Sequence, residues 1–413
     1  MKTLHKKFKL TSIAFILISG LLLTPSCSKN DDNEPINYNT YYEHELLVSY
    51  PSSGIKTLFE GLSALYPELA VIVNDIKYNV DVYKVTYYTP FQGQTIKASG
   101  LVCIPNSDDG SFPIVSFQNG TNTAHANAPT VDYKGTLFTY LESAASMGLI
   151  ILIPDYIGFG AAEQFNHPYL HKQSTTTSVL DLIEATREMY DANLISGAWN
   201  EDVMLMGYSQ GGWATLSTHK YITELSDPGF NLVASSCGAG PYDLSIVQNY
   251  MFEGATYEQP VYMAYTGVSY HTLDLITNPL SDYFNEPYAT NLPGYFDGSL
   301  TNGQINDKLN DTVYVLVTES FLTGINDNPK YEDFRNAMNS NSVFGWNTTQ
   351  PIKLYHGTAD TYVPPTTTEV VYQEFVDAGA SDMVEYIPLP GKDHVGGAIP
   401  MVVGSLVWFH EIK

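Results

Sequence analysis

Cysteine, positive charge and long apolar runs are all scarce in this 413-residue chain, and each scarcity excludes something. Cysteine occurs only at Cys27, Cys103 and Cys237. Cys103 and Cys237 fall at the ends of predicted strands that are not neighbours, so two separate buried thiols are expected rather than a disulfide. No grouping of Cys, His and Asp has metal-ligand spacing and no phosphate-cradling loop is present, so neither metal nor cofactor is expected. The 19 Lys and Arg stand against 44 Asp and Glu, a formal charge of −25. That balance argues against a nucleic-acid partner and against an anionic membrane face, and it favours solubility. The uncharged stretch at residues 10–23 is too short to cross a bilayer, which takes about 20 apolar residues. No internal repeat period appears.

The start of the chain has its own logic. Lys2, Lys6, Lys7 and Lys9 precede residues 10–23, and Thr24-Pro25-Ser26-Cys27 follows. A basic segment, a short apolar segment and a small residue before a cysteine describe an export signal over residues 1–26. Cys27 then becomes the lipid-modified N-terminus, as in bacterial lipoproteins, although Thr24 stands where such signals usually carry Leu. Residues 27–40, polar and acidic at first, read as a tether. The expectation is an exported protein, lipid-anchored to the outer membrane of a Gram-negative cell, with the N-terminal lipid as its only membrane contact. Acidic residues directly after Cys27 are compatible with exposure on the cell surface.

The remainder has apolar content for one large core. Apolar residues at helical spacing (Leu58, Leu62, Leu65, Leu69, Ile72) predict a helix over 55–73, kinked or divided at Pro67. Residues 80–89 and 96–104 alternate around a glycine-containing loop and predict an antiparallel hairpin. Strands are then predicted at 113–117, 149–153, 203–206, 232–236, 352–355 and 384–387. Helices are predicted between or after them at 136–147, 174–192, 213–225, 366–378 and 398–409. This alternation implies a mostly parallel sheet with helices on both faces. It stops between residues 241 and 350, far beyond an ordinary connection of roughly 2–6 residues. That stretch is expected to form a cap subdomain over the carboxyl ends of the strands, splitting the core into residues 41–240 and 351–413.

At the centre, the apolar run 203–206 leads into Gly207-Tyr208-Ser209-Gln210-Gly211-Gly212 and then a helix. Gly-x-Ser-x-Gly between strand and helix describes a nucleophile elbow, whose tight turn strains the serine and exposes its hydroxyl. A serine hydroxyl needs an imidazole to take its proton, and the imidazole needs a carboxylate to fix its tautomer. In the order Ser, acid, His, the acid is Asp360, at the end of a strand and glycine turn. The base is His394, in a loop between the last strand and the last helix. His356 is expected to pack at its strand end, and Asp393 reads as a loop residue. A tetrahedral intermediate needs two amide donors. The Gln210 N–H at a helix start is one and Thr121, in the loop 118–123, the other, with Asn119 and Gly120 supporting that loop. Asp155, Tyr156 and His167 follow a strand and read as supports of the pocket.

Taken together, Asn119-Gly120-Thr121, residues 154–160, His167-Pro168-Tyr169-Leu170, the serine elbow and the Asp360 and His394 loops resemble the secretory lipase family of α/β-hydrolases. The resemblance runs from about residue 96 to the end and is weakest in the cap. It implies an α/β-hydrolase fold and an acyl-ester hydrolase with Ser209, Asp360 and His394 as triad. The family often carries His-Gly-Thr where this chain has Asn119-Gly120-Thr121. A serine peptidase of the same fold and a non-catalytic binder of acylated glycans are the competing readings. The cap is rich in tyrosine (Tyr250, Tyr257, Tyr262, Tyr265, Tyr270, Tyr283, Tyr288, Tyr295), which suits partly polar ligands. Short acyl esters of soluble alcohols, carbohydrate or aromatic, are therefore expected to be better substrates than long-chain triglycerides.

Overall fold

The computed structural model describes residues 40–108 and 110–413. The export signal, the Cys27 lipidation site and the tether up to residue 39 lie outside the described residues. Nine strands form one sheet in the order β1-β2-β3-β5-β4-β6-β7-β8-β9. They are β1 (Tyr41–Tyr50), β2 (Asn79–Phe91), β3 (Gln94–Asn106), β4 (Ser111–Gln118), β5 (Ile150–Pro154), β6 (Ala198–Tyr208), β7 (Asn231–Gly238), β8 (Ile352–Gly357) and β9 (Val384–Leu389). β1 to β3 pair antiparallel and β3 meets β5 antiparallel, whereas β5-β4-β6-β7-β8-β9 run parallel. The central strand β5, Ile-Ile-Leu-Ile-Pro, is buried at every position, as a parallel strand covered on both faces must be.

Ten helices of eight residues or more accompany the sheet among the described residues: α1 (Ser52–Ser63), α2 (Thr136–Ser143), α3 (Lys172–Asp191), α4 (Gln210–Glu224), α5 (Leu244–Glu253), α6 (Pro260–Thr272), α7 (Tyr288–Tyr295), α8 (Glu332–Asn341), α9 (Thr366–Asp377) and α10 (His394–Ile412). Phe59 of α1, Phe138 and Leu141 of α2 and Met401, Leu406 and Phe409 of α10 pack with Val115, Met204 and Met206 on one face. On the other, Leu182 of α3, Trp213 and Leu216 of α4 and Val371 and Phe375 of α9 pack with Ile114 and Leu205. Cys103 belongs to the first face and Cys237 to the second, and both are free and buried.

Three local features add to, refine or shift the expected elements. β1 was not legible: it is an edge strand with two register shifts against β2 and no clean alternation of buried and exposed residues. The predicted 55–73 helix is divided at Pro67 as expected: one helix ends at Ser63, Pro67 opens a 3-10 turn, Pro67–Leu69, and a short helical turn, Ala70–Val73, follows, because proline suits a helix start but not its interior. The final helix starts at His394, not near residue 398. Asp393 caps it by accepting a hydrogen bond from the Gly396 N–H at 2.6 Å, so His394 is the first helical residue and not part of a loop.

Helices α5–α8 lie in the insertion between β7 and β8. Their apolar residues, among them Val261, Tyr270, Phe334 and Met338, belong to the same continuous cluster as the α3, α4 and α9 face. The cap thus shares its core with the sheet. Trp213, fully buried in the first turns of α4, donates its indole N–H to the Asn341 carbonyl at 2.9 Å, tying the elbow helix to α8.

Glu142 on α2 is fully buried and neither carboxyl oxygen holds a hydrogen bond of normal geometry. Burial pushes its pKa up to about 7, against a smaller pull from the nearby Tyr50 hydroxyl. An unfolded glutamate titrates near pH ~4.3. Between there and about pH 7 the folded chain keeps a proton that the unfolded chain has released, so stability falls as pH rises through this window. Glu142→Gln, neutral throughout, is expected to exceed the wild type in Tm by clearly more at pH 8 than at pH 5, where the window has only begun. Thermal denaturation at the two pH values checks this, and an equal difference at both would remove the assignment.

Candidate active site

The elbow geometry comes from close approach of backbone. A Cβ on Gly207 would lie 2.3 Å from the Gly211 carbonyl oxygen, and one on Gly211 would lie 1.8 Å from the Gln118 carbonyl oxygen. Only glycine fits there. Ser209 between them sits at φ 61° and ψ −123°, a conformation that costs a non-glycine residue roughly 1–3 kcal/mol. Its N–H is held by the Gly238 carbonyl at 2.8 Å.

Three distant segments meet at this serine. His394 Nε2 lies 2.9 Å from Ser209 Oγ, and His394 Nδ1 lies 2.7 Å from Asp360 Oδ2. With Nδ1–H donating to the carboxylate, Nε2 is the acceptor facing the serine hydroxyl. All three side chains are buried. The other Asp360 oxygen accepts the N–H groups of Tyr362 and Val363, each at 2.9 Å. Burial pushes the Asp360 carboxyl up, but hydrogen bonds from His356 and His394, the charge of His394 and the Val363 amide outweigh it and hold the pKa at about 2. His394 is further fixed by its packing against Tyr208 and Tyr362, each with ring centroids 5.4 Å away, while the Tyr208 hydroxyl donates to the His394 carbonyl at 2.6 Å.

Sequence reasoning missed part of the acid's environment. His356 is buried, with Nε2 at 3.3 Å from Asp360 Oδ2 and 3.0 Å from the Val363 carbonyl, and Nδ1 at 2.6 Å from Thr368 Oγ1. The available signal was its position four residues before the aspartate, across a turn that folds back. Asp393 points away to cap α10 and makes no bond to its neighbour.

The loop 118–123 lies against Ser209: a Cβ on Gly120 would be 3.7 Å from that of the serine. The Gln210 and Thr121 amides have no hydrogen-bond partner among the described residues, so both remain available to a ligand. The loop is braced from several sides. Tyr156, at φ 68°, donates its hydroxyl to the Asn119 carbonyl at 3.3 Å. Thr121 Oγ1 is 3.1 Å from the Tyr169 hydroxyl, and the Thr121 carbonyl accepts from Asn302 of the cap at 2.9 Å. Nothing in the sequence pattern marked Asn302.

Asp155 and His167 stand behind this arrangement and do not line the cavity at Ser209. Asp155 accepts from Ser99 Oγ at 2.5 Å and from Thr130 N and Oγ1 at 2.8 and 2.6 Å; burial pushes its pKa up to about 6 against those bonds. His167 Nδ1–H donates to the Ile157 carbonyl at 2.7 Å, and Nε2 accepts from the Gln210 side-chain amide at 2.9 Å. Burial lowers the His167 pKa to about 4, so the ring is neutral and orients Gln210 as an acceptor. Among the described residues no group of His, Cys, Asp and Glu is arranged to hold a metal ion.

Over Ser209 and Gln210 the cap walls a cavity of about 50 Å³ lined by Leu244, Val247, Met251, Phe284, Phe321 and Phe334 among others. The cap tyrosines do not form its wall as expected. Of the eight, only Tyr262 lines this cavity. Tyr257, Tyr265, Tyr270 and Tyr283 are buried in the cap's own core, and Tyr250, Tyr288 and Tyr295 pack at its edge. Their rings pack within the cap and against the turn before α3, as in the stack of Tyr265 on Tyr169 at 4.4 Å, and the cavity wall is mainly aliphatic and aromatic, with Tyr169, Tyr262 and Tyr362 and the polar side chains of Gln248 and Thr266 among its residues.

A hairpin leading into a parallel sheet, with a strained serine after the third parallel strand and a helical cap, defines an α/β-hydrolase. More particularly, the secretory lipase family profile matches residues 124–411, and the chain belongs to that family of exported hydrolases acting on esters. Solved structures share the fold. The esterase LipA of Xanthomonas oryzae, described as rice cell wall degrading, is similar at 25% identity and a TM-score of 0.76, covering 90% of this chain and 97% of its own. A putative hydrolase from Legionella pneumophila is similar at 23% identity and 0.78, with the same coverage of 90% and 97%. Lipase A of Candida antarctica is similar at 17% and 0.64, covering 90% of this chain and 81% of its own. Curated protein sequences give no match.

Because Asp393 serves the helix start and His394 its own contacts, Asp393→Ala is expected to lower stability by about 1 kcal/mol, the worth of a cap. Hydrolysis of a chromogenic ester should stay within a few-fold of wild type. A severe loss of activity with unchanged Tm would reassign the acid.

Proposed function

We propose that the protein hydrolyses carboxylic esters through an acyl-enzyme on Ser209. The observation that carries this reading is the continuous chain from Ser209 Oγ through His394 to Asp360, at 2.9 and 2.7 Å. His394 Nε2 takes the Ser209 proton as Oγ bonds to the acyl carbon. The resulting oxyanion is received by the Gln210 and Thr121 amides, the first at the N-terminus of a 15-residue helix whose dipole favours an anion. When the carbon–oxygen bond to the alcohol breaks, His394 returns the proton to the departing oxygen. Water then repeats the sequence on the acyl-enzyme, releasing the acid and restoring Ser209. Asp360, ionised down to about pH 2, stabilises the imidazolium formed in each half. A strained serine with an acceptor nitrogen on its hydroxyl favours this reading over a non-catalytic binder, to which the strain contributes nothing.

The preference for short acyl groups rests on two supports. The cavity of about 50 Å³ has room for few atoms, given that one water needs about 10–15 Å³. Its inner wall of Phe284, Phe321 and Phe334 is part of the packed cap core. The cap also offers little for an oil droplet to hold: its one exposed large apolar side chain among the described residues is Tyr314. No surge in rate is therefore expected when substrate forms an emulsion. Export and anchoring through a lipid on Cys27, the sole membrane attachment, belong to the same reading, as does the lack of a nucleic-acid partner.

Ser209→Ala should reduce kcat on p-nitrophenyl butyrate by about 10⁴-fold or more with the fold intact, and Asp360→Asn and His394→Ala nearly as much. A folded Ser209→Ala protein that retains substantial activity would end this reading. Higher kcat/KM on palmitoyl than on butyryl esters would end its acyl-length part.

A further inference from the structure

One stripe of α5 lines the cavity over Ser209. Leu244, Val247, Gln248, Met251 and Phe252 all belong to that wall, at the spacing of a single helix face. Every one of them is apolar except Gln248. It is only 8% exposed, and neither its Nε2 nor its Oε1 has a hydrogen-bond partner among the described residues. Thr266 in the same wall is engaged, donating its hydroxyl to the Tyr262 carbonyl at 3.0 Å, and the Tyr169 hydroxyl meets Thr121 Oγ1 at 3.1 Å. Gln210 is half engaged. Its Nε2 donates to the neutral His167 ring, which fixes the orientation of the amide, and its Oε1 is left without a partner. The residues around the cavity therefore hold an unpaired donor, Gln248 Nε2, and two unpaired acceptors, the side-chain oxygens of Gln248 and Gln210.

We infer that Gln248 is a specificity-determining residue, and that the part of the ester held in this cavity carries a hydroxyl. The inference rests on the acyl-enzyme reading of Ser209, because Ser209 and Gln210 belong to the same wall. A buried amide without partners is costly, and leucine or methionine would complete the apolar stripe without that cost. The amide is therefore explained by a ligand that pairs with it. A hydroxyl both donates and accepts, so it can give its hydrogen to an amide oxygen and take one from Gln248 Nε2. A keto or ether oxygen only accepts and an ammonium only donates, so each leaves part of the set unpaired. A carboxylate would bring its charge into a wall that contains no charged side chain. Both halves of an ester are bonded to the carbon that Ser209 attacks, and the hydroxyl belongs to whichever half enters the cavity.

The test compares two pairs of esters on wild type and on Gln248→Met, which keeps the unbranched shape and removes the amide. Methyl 3-hydroxybutyrate against methyl butyrate places the hydroxyl on the acyl half, and 3-hydroxypropyl acetate against propyl acetate places it on the alcohol half. In at least one pair the wild-type kcat/KM should favour the hydroxylated ester by about tenfold or more, and in Gln248→Met that ratio should fall to about one. Both esters of a pair meet both proteins, so any difference in their intrinsic reactivity cancels. Ratios that are the same in the two proteins for both pairs overturn the inference. The Tm of Gln248→Met should equal or exceed that of wild type. A lower Tm with unchanged ratios would make Gln248 a structural part of the cap and also overturn it. If Gln248→Met does not fold, Gln248→Leu replaces it, and failure of both to fold counts against the inference, because an unpartnered amide is dispensable to the fold. If wild type hydrolyses none of the four esters, the reading of Ser209 fails separately. Gln248 is then judged by NMR titration with 3-hydroxybutyramide and butyramide: tighter binding of the hydroxylated amide, lost in the variant, supports the inference, and equal or absent binding overturns it.

Discussion

The distance between strand β6 and helix α4 is the constraint on which the site depends. Gly207, Gly211 and Gly212 each face a backbone carbonyl oxygen at a separation that no Cβ could occupy: those of Gly211, Gln118 and Gly238. The contacts at Gln118 and Gly238 bring the ends of β4 and β7 onto the turn that carries Ser209. One consequence is strain at Ser209. The other is placement, since the loop after β4 can supply an amide beside the serine only because Gly211 lets that strand end come so close. The strain of roughly 1–3 kcal/mol is held in place by the helix beyond the turn, above all by the fully buried Trp213 and its bond to the cap.

The acid arm solves a different problem. A carboxylate buried this deeply is costly unless its lone pairs are filled. Asp360 fills them with two backbone amides on one oxygen and two imidazoles at the other. His356 is therefore part of how the acid stays charged: fixed by Thr368 and Val363, it offers a ring nitrogen to the oxygen that also receives His394. The geometry leaves His394 one free nitrogen, and that nitrogen faces Ser209.

What could be read from the sequence depends on how local the underlying physics is. The parallel strands and their helices were legible because a doubly covered sheet needs continuous apolar runs, and the elbow because only glycine fits its flanks. Ser209, Asp360 and His394 could be named from the order of the loops, and the structure brings them together. β1 was invisible because an exposed edge strand carries no burial pattern. The start of α10 was misplaced because Asp393 looked like a turn residue when it is a cap. Asn302 and His356 act through contacts that exist only after folding. The cap tyrosines misled for a related reason: a ring with a hydroxyl suits a ligand site and a helix interface equally well, and composition cannot distinguish them.

The shared core of cap and sheet bears on how substrate reaches Ser209. A lid that swings clear must separate from its base at low cost, which calls for few buried apolar contacts and weak polar ties. Here α5–α8 belong to the cluster that also packs α3, α4 and α9. Polar ties cross the boundary as well: Lys172 N–H to Asn341 Oδ1 at 2.8 Å, Lys172 Nζ to the Ser342 carbonyl at 3.1 Å, and the Trp213 indole to the Asn341 carbonyl. Lifting the cap would break these together and expose the phenyl rings that line the small cavity.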